Sequence, residues 1–252
     1  MLKTRIIPTL LLKGLGLVKG RGFDSGRRVG AALQSVRVYN LREVDELILL
    51  DIAATVNGVR PDLREIDELA DNCFMPMTVG GGVRSLEDIR DLLAVGADKV
   101  AINSAALATP ELLRAGAREF GTQCIVASID VRRHADGRCE VFGGCGRTPT
   151  GLDPVAWAKE VAALGAGEIL LTSIERDGTM TGYDVELVRD VAAAVNVPVI
   201  ASGGCGSYGD MASVLEGTRA AAVAAAAMFH FTEQTPREAK AYLAARGHKV
   251  RR

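Results

Sequence analysis

Eight short apolar runs alternate with eight stretches of helical period along this chain, and that alternation limits the folds open to it. The runs lie near Arg5–Leu11, Glu46–Asp51, Met75–Val79, Lys99–Asn103, Ile125–Asp130, Glu168–Ser173, Val197–Ala201 and Ala221–Ala225. They carry few charges and read as strands buried on both faces. The helical periods fall near Gly30–Leu41, Asp62–Asn72, Ser85–Ala94, Pro110–Phe120, Asp153–Leu164, Asp184–Val195, Tyr208–Glu216 and Pro236–Arg246. Ser85 with Asp88, and Thr109 with Glu111, read as helix starts, while Gly96, Gly121, Gly165 and Gly217 read as helix ends. Strand-then-helix eight times within 252 residues predicts an α/β fold, a closed (β/α)8 TIM barrel rather than an open sheet. No linker interrupts the pattern, so a single barrel domain over residues 1–252 is expected.

The chain also repeats itself. Thr78-Val-Gly-Gly-Gly82, a helix and Gly96–Ser104 are echoed by Ala201-Ser-Gly-Gly204, a helix and Ala220–Ala227. The barrel therefore reads as two fused half-barrels. Glycine-rich turns after strands offer backbone N–H groups to anions. Gly82, Asn103 and Ser104 are expected to hold one phosphate-like end of a substrate; Ser202, Gly203, Gly204 and the start of the last helix are expected to hold another.

Composition excludes several classes. A net charge of −1 gives no field that recruits nucleic acid or a membrane surface. No signal peptide is apparent between Met1 and Leu17, and Ala220–Phe231 is too short to span a bilayer. Cys73, Cys124, Cys139, Cys145 and Cys205 are odd in number and scattered, which suits a reducing cytoplasm. Cys139 and Cys145 with His134 fit no zinc spacing, and no residue set argues for a metal or an organic cofactor.

Asp51 and Asp130 each close an apolar run, a poor place for a solubility charge, and are candidates for chemistry at the strand ends. Asp177, before Gly178, reads equally as a ligand or as a turn residue. At the opposite ends of the strands stand Arg5, Glu46, Lys99 and Glu168. Two cations and two anions there form either a stabilising ring of salt bridges or a gate for a small neutral molecule entering a polar bore. His230 is expected to be packed or capping, His134 solvated and Trp157 in the core; Arg27 and Arg28 either help a phosphate approach or are solvated.

Taken together, Arg5-Ile-Ile, Leu50-Asp51-Ile52, the Thr78–Gly82 turn, Gly96-Ala-Asp-Lys-Val100, Gly165–Ser173, Arg176-Asp-Gly-Thr179 and Phe229-His-Phe231 closely resemble the cyclase subunit of imidazole glycerol phosphate synthase. The resemblance covers nearly the whole chain. It implies a glutaminase subunit docked on the barrel floor, beside Asp98, as a heterodimer. It also implies ammonia passing the gate residues to a phosphorylated substrate at the far face, and Lys19 on a mobile loop after the first strand. That family uses two catalytic aspartates, of which Asp130 supplies one. Leu11 occupies the other position and can neither take nor give a proton, and Ala227 stands where the family has a serine. These departures, with the Pro-x-Leu-Leu-Leu start and Gly151-Leu-Asp-Pro-Val155, resemble a sibling branch that serves acetamidino modification of surface-polysaccharide sugars. There ammonia goes on to a separate sugar amidotransferase. The first expectation is that role; the alternative is the lyase and cyclase of histidine biosynthesis, and the third a silent scaffold that activates the glutaminase.

Overall fold

In the computed structural model, residues 3–14, 16–42 and 44–251 are described; Met1, Leu2, Leu15, Glu43 and Arg252 lie outside them. Eight parallel strands close into a barrel: β1 (Arg5–Leu12), β2 (Leu47–Asp51), β3 (Met77–Gly80), β4 (Lys99–Ile102), β5 (Ile125–Arg133), β6 (Glu168–Ser173), β7 (Val199–Ser202) and β8 (Ala222–Ala225). Each pairs with the next, and β8 returns to β1 with Arg5 beside Ala222. The outer ring comprises α1 (Ala32–Leu41), α2 (Leu63–Ala70), α3 (Leu86–Ala94), α4 (Glu111–Phe120), α5 (Pro154–Ala163), α6 (Val185–Ala194), α7 (Tyr208–Gly217) and α8 (Pro236–Ala245). One-turn helices Ala54–Asn57, Ser104–Ala108 and Ala227–Phe231 follow β2, β4 and β8, giving eleven α-helices among the described residues. The chain is a (β/α)8 barrel, as the alternation predicts. No helix among the described residues is long and apolar enough to cross a membrane.

The half-barrel repeat reaches single hydrogen bonds. Ser85 accepts from the Asp88 amide while Asp88 Oδ2 accepts from Arg84 and Ser85; Ser207 and Asp210 repeat the arrangement at α7, with Gly206 and Ser207 as donors. Such reciprocal boxes satisfy helix-start donors that would otherwise lack partners. Ser85→Ala and Ser207→Ala are each expected to cost about 1 kcal/mol, read by urea unfolding; an equal loss of both caps that leaves stability unchanged would refute the assignment. Thr109 does not cap α4. Pro110 takes that position without a side-chain bond, because Thr109 is used to end the preceding one-turn helix, its amide bonded to Ala105 O at 2.8 Å.

Two hairpins lie beyond what the sequence pattern predicts. After β1, Leu17–Arg21 pairs with Asp24–Gly30, where a mobile loop is expected, and α1 accordingly starts two residues after Gly30. Beyond Asp130, β5 continues to Arg133 and pairs with Cys139–Gly143, which in turn pairs with Thr148–Pro149. His134, expected in solvent, lies at this turn with Nε2 2.7 Å from Glu140 Oε2. Trp157 is buried on α5, in the shell between strands and helices.

Candidate active site

The bore is layered by the alternation of each strand. On β1, Arg5, Ile7, Thr9 and Leu11 face inward in order from floor to mouth. At the floor, Arg5 reaches Glu46 at 2.8 Å and Glu168 at 2.7 Å, and Lys99 reaches Glu46 at 3.1 Å and Glu168 at 2.7 Å. The four predicted residues thus form one closed ring of alternating charge. Above it sits an apolar layer of Ile7, Ile48, Ala101, Val126, Leu170, Ile200, Ala222 and Ala224. The expected polar bore is therefore polar only at its ends. The middle is aliphatic because inward positions on adjacent strands fill a small barrel with side chains.

Over that layer opens a cavity of about 880 Å³ at the strand C-terminal ends, with Thr9, Ser128, Thr172 and Ser202 among its lining residues. Asp130 lies there, buried, with Oδ2 accepting from Asn103 Nδ2 at 3.2 Å. Burial, with the charge of Asp177 adding to it, pushes its carboxyl up to about 7. Asp177 also lines the cavity and is raised by burial, against the opposing pull of Lys19 and the Phe23 amide.

Lys19 is not on the cavity wall. Its side chain is buried, Nζ donating to Thr9 O at 3.0 Å, and desolvation brings it down to about 7 against the pull of Asp177. The loop becomes a hairpin because Leu17 and Val18 bury against the barrel, and this draws Lys19 inward with them. Among the described residues, no group of three or more His, Cys, Asp or Glu side chains is placed to hold a metal ion.

The model of the histidine biosynthesis protein family matches residues 5–235, from the first residue of β1 to the N-cap of α8. The chain belongs to this family. It is a barrel of the histidine-biosynthesis type, a family whose members are in general enzymes, isomerases and cyclases.

Within this histidine-biosynthesis barrel the glycine turns have a structural cause. Gly81 and Gly203 have φ of +103° and +90°, and a Cβ there would meet Asp51 O at 2.0 Å and Ser173 O at 2.6 Å. The turns must be bare simply to pass over β2 and β6. Several predicted ligands are already engaged. Asp51 Oδ1 accepts from Ala53 and Ala54, and so starts the helix Ala54–Asn57. The Gly82 amide donates to Thr55 Oγ1 at 3.1 Å. Asn103 Nδ2 serves Asp130 and the carbonyls of Ser128 and Phe142, and Ser104 Oγ accepts from Gly144 N. Asn103 and Ser104 thus hold Asp130 and the β5 hairpin in place.

Gly178, Ser202, Gly203 and Gly204 all stand on the wall, as does Leu11. Gly178 packs against the hairpin, where a Cβ would meet Gly20 O. Asp98, on the floor side, is exposed and accepts from the Met77 amide at 2.8 Å. His230 packs edge-on to Tyr39, its Nε2 buried without a partner, and burial lowers it to about 4.

Arg84, Arg147, Thr9 and Thr172, which no sequence motif marks, also line the cavity, as does Cys145. The period of two on β1 and β6 would have found both threonines, two residues from Leu11 and four from Glu168. Arg147 and Cys145 sit on the unpredicted hairpin.

Proposed function

We propose that this barrel is the ammonia-receiving subunit of a glutamine amidotransferase serving acetamidino modification of a polysaccharide sugar. Its partner would be a glutaminase docked at the floor near Asp98, and its onward acceptor a sugar amidotransferase. The observation that carries the reading is Leu11. It lines the cavity that holds Asp130, at the position where the resemblance calls for a second carboxylate. One titrating carboxylate near neutrality can serve as an acid or as a base, whereas ring closure with paired proton transfers needs two groups. The floor ring and the aliphatic layer suit transfer of a neutral species, since a charged ammonium ion would be desolvated in the middle layer. With all four bridges at 3.1 Å or less, passage requires one bridge to open and the layer to part.

Asp130 near 7 within a roomy cavity also supports a second reading, the lyase and cyclase of histidine biosynthesis. Supplying the phosphoribulosyl formimino substrate with ammonium salt separates the two. Under the first reading, turnover is absent or about a hundredfold below that of Leu11→Asp, the size of a missing acid–base group. Efficient turnover by the unmodified chain would discard the amidination role.

A further inference from the structure

A second cleft, of about 260 Å³, lies where α8, the end of α1 and residues 250–251 meet, and it shares no lining residue with the cavity of Asp130. Arg42, Arg237, Lys240 and Arg251 line it, and no carboxylate is among its described lining residues. Arg237, Lys240, Ala241 and Ala244 fall at i, i+3, i+4 and i+7 of α8 and so share one face of that helix. The two alanines leave methyl groups where longer side chains would fill the space. On the other side, Thr4 pairs with Val250, and the Arg251 amide donates to Thr4 O at 3.4 Å, which brings Arg251 to the same cleft.

Internal pairing accounts for one of the four charges. Lys240 Nζ lies 2.8 Å from Asp45 Oδ1, and the buried Asp45 carboxylate also accepts from Ile6 N at 2.9 Å. Arg251 gives one donor to Asp45 O at 3.4 Å. Among the described residues, no carboxylate lies in salt-bridge contact with Arg42, Arg237 or Arg251. The charge of Arg42 reaches Glu238, but that carboxylate is already held by Tyr208 and Thr235. Helix electrostatics explain Arg42, at the C-cap of α1, but not Arg237, which is the second residue of α8 and is opposed by the field of that helix. Three guanidinium groups on one cleft repel one another, and a bound anion offsets that cost.

We infer that this cleft binds a diphosphate group, free or carried by a nucleoside. Its length favours two phosphoryl groups over one. Arg237 and Ala244 are seven residues apart, so the cleft runs about 10 Å along α8, longer than a single phosphate. Guanidinium forks match phosphoryl oxygens in shape as well as in charge, and three of them line this one space. The site is separate from the cavity and does not draw on the proposed function.

Calorimetric titration of the intact barrel with inorganic pyrophosphate, inorganic phosphate and uridine diphosphate, at fixed salt, tests it. Pyrophosphate is expected to bind more tightly than phosphate by roughly tenfold, and Arg42→Ala and Arg237→Ala should each weaken it by a similar factor, the scale of a lost charge-assisted hydrogen bond. Ala241→Leu fills the cleft without touching a charge and keeps a good helix former, and it should weaken pyrophosphate as much. Arg84→Ala, on the cavity wall, should leave this affinity unchanged, which separates the cleft from any binding in the cavity. Uridine diphosphate binding no tighter than pyrophosphate assigns the free diphosphate as occupant; a clear gain assigns the nucleoside form. Phosphate binding as tightly as pyrophosphate overturns the inference. So does indifference to all three cleft substitutions, or no binding of pyrophosphate by barrel whose circular dichroism is native.

Discussion

Replacing Glu168 by alanine is expected to lower stability by about 3–5 kcal/mol. Its carboxylate takes Arg5 Nη2 and Lys99 Nζ, both at 2.7 Å, and the four side chains of the ring are between 8% and 16% exposed. Burial alone would push the Glu168 carboxyl up, but Arg5 and Lys99 outweigh it and hold the group below the usual carboxylate range. Removing it leaves two cations sharing Glu46 at the floor, one of them uncompensated. For a domain of this size the loss corresponds to a fall in Tm of roughly 10 °C. Charge balance, rather than contact number, is the cause, so Lys99→Met combined with Glu168→Leu should lose less than Glu168→Ala alone. The pH dependence has a definite sign. A depressed folded pKa gives stability that is present above the unfolded value near 4 and is lost as pH falls through the folded one. The gap between parent and Glu168→Ala should therefore close in acid. A gap below 1 kcal/mol at pH 7, or one unchanged at pH 3, would refute the buried-ring account.

The barrel was legible because its strands are buried on both faces and its helices on one. Continuous apolar runs such as Ile125–Ile129 and Ile169–Leu171 leave little choice of element. The floor ring was legible for the same reason: a charge at the start of an otherwise apolar run has few places to go except toward a partner on a neighbouring strand. What escaped was structure that depends on pairing between poorly patterned segments. Arg132 and Arg133 look like a solvated loop, but they extend β5 because Cys139–Gly143 folds back on them and Glu175 and Asp184 take their guanidinium groups.

The candidate site was legible in its membership and much less in its use of each residue. Asp130 and Asp177 share the cavity, yet Lys19 is buried with its amine on Thr9 O, and Asp51, Asn103 and Ser104 are engaged in holding loops. A glycine-rich turn advertises open N–H groups, but at Gly81 and Gly203 the absent side chain is demanded by a crossing carbonyl. Sequence gives residue type and spacing; which donors remain for a ligand depends on hydrogen bonds made by residues far apart in the chain.

Asp130→Asn is expected to stabilise the barrel by about 4 kcal/mol above pH 7 and to leave it nearly unchanged near pH 4. The carboxyl is buried and raised to about 7 from an ordinary value near 3.8. A raised folded pKa means stability that is fully present below the unfolded pKa and lost as pH climbs through the folded one. Each unit of that interval is worth about 1.4 kcal/mol. Asparagine cannot ionise, yet it keeps an oxygen to accept from Asn103 Nδ2, so the substitution removes the charge without emptying the site. Lys19 does not blur the result, because its lowered pKa makes its contribution change between 10.5 and about 7, whereas that of Asp130 changes between about 4 and 7. Urea unfolding of both chains at pH 4.5, 6 and 8 should show the gap widening at each step. A constant gap would mean that Asp130 is ionised throughout, held by partners stronger than one amide. The cavity would then offer a fixed anion rather than a group able to exchange a proton at neutral pH, and the acid–base role assigned to Asp130 would go with it.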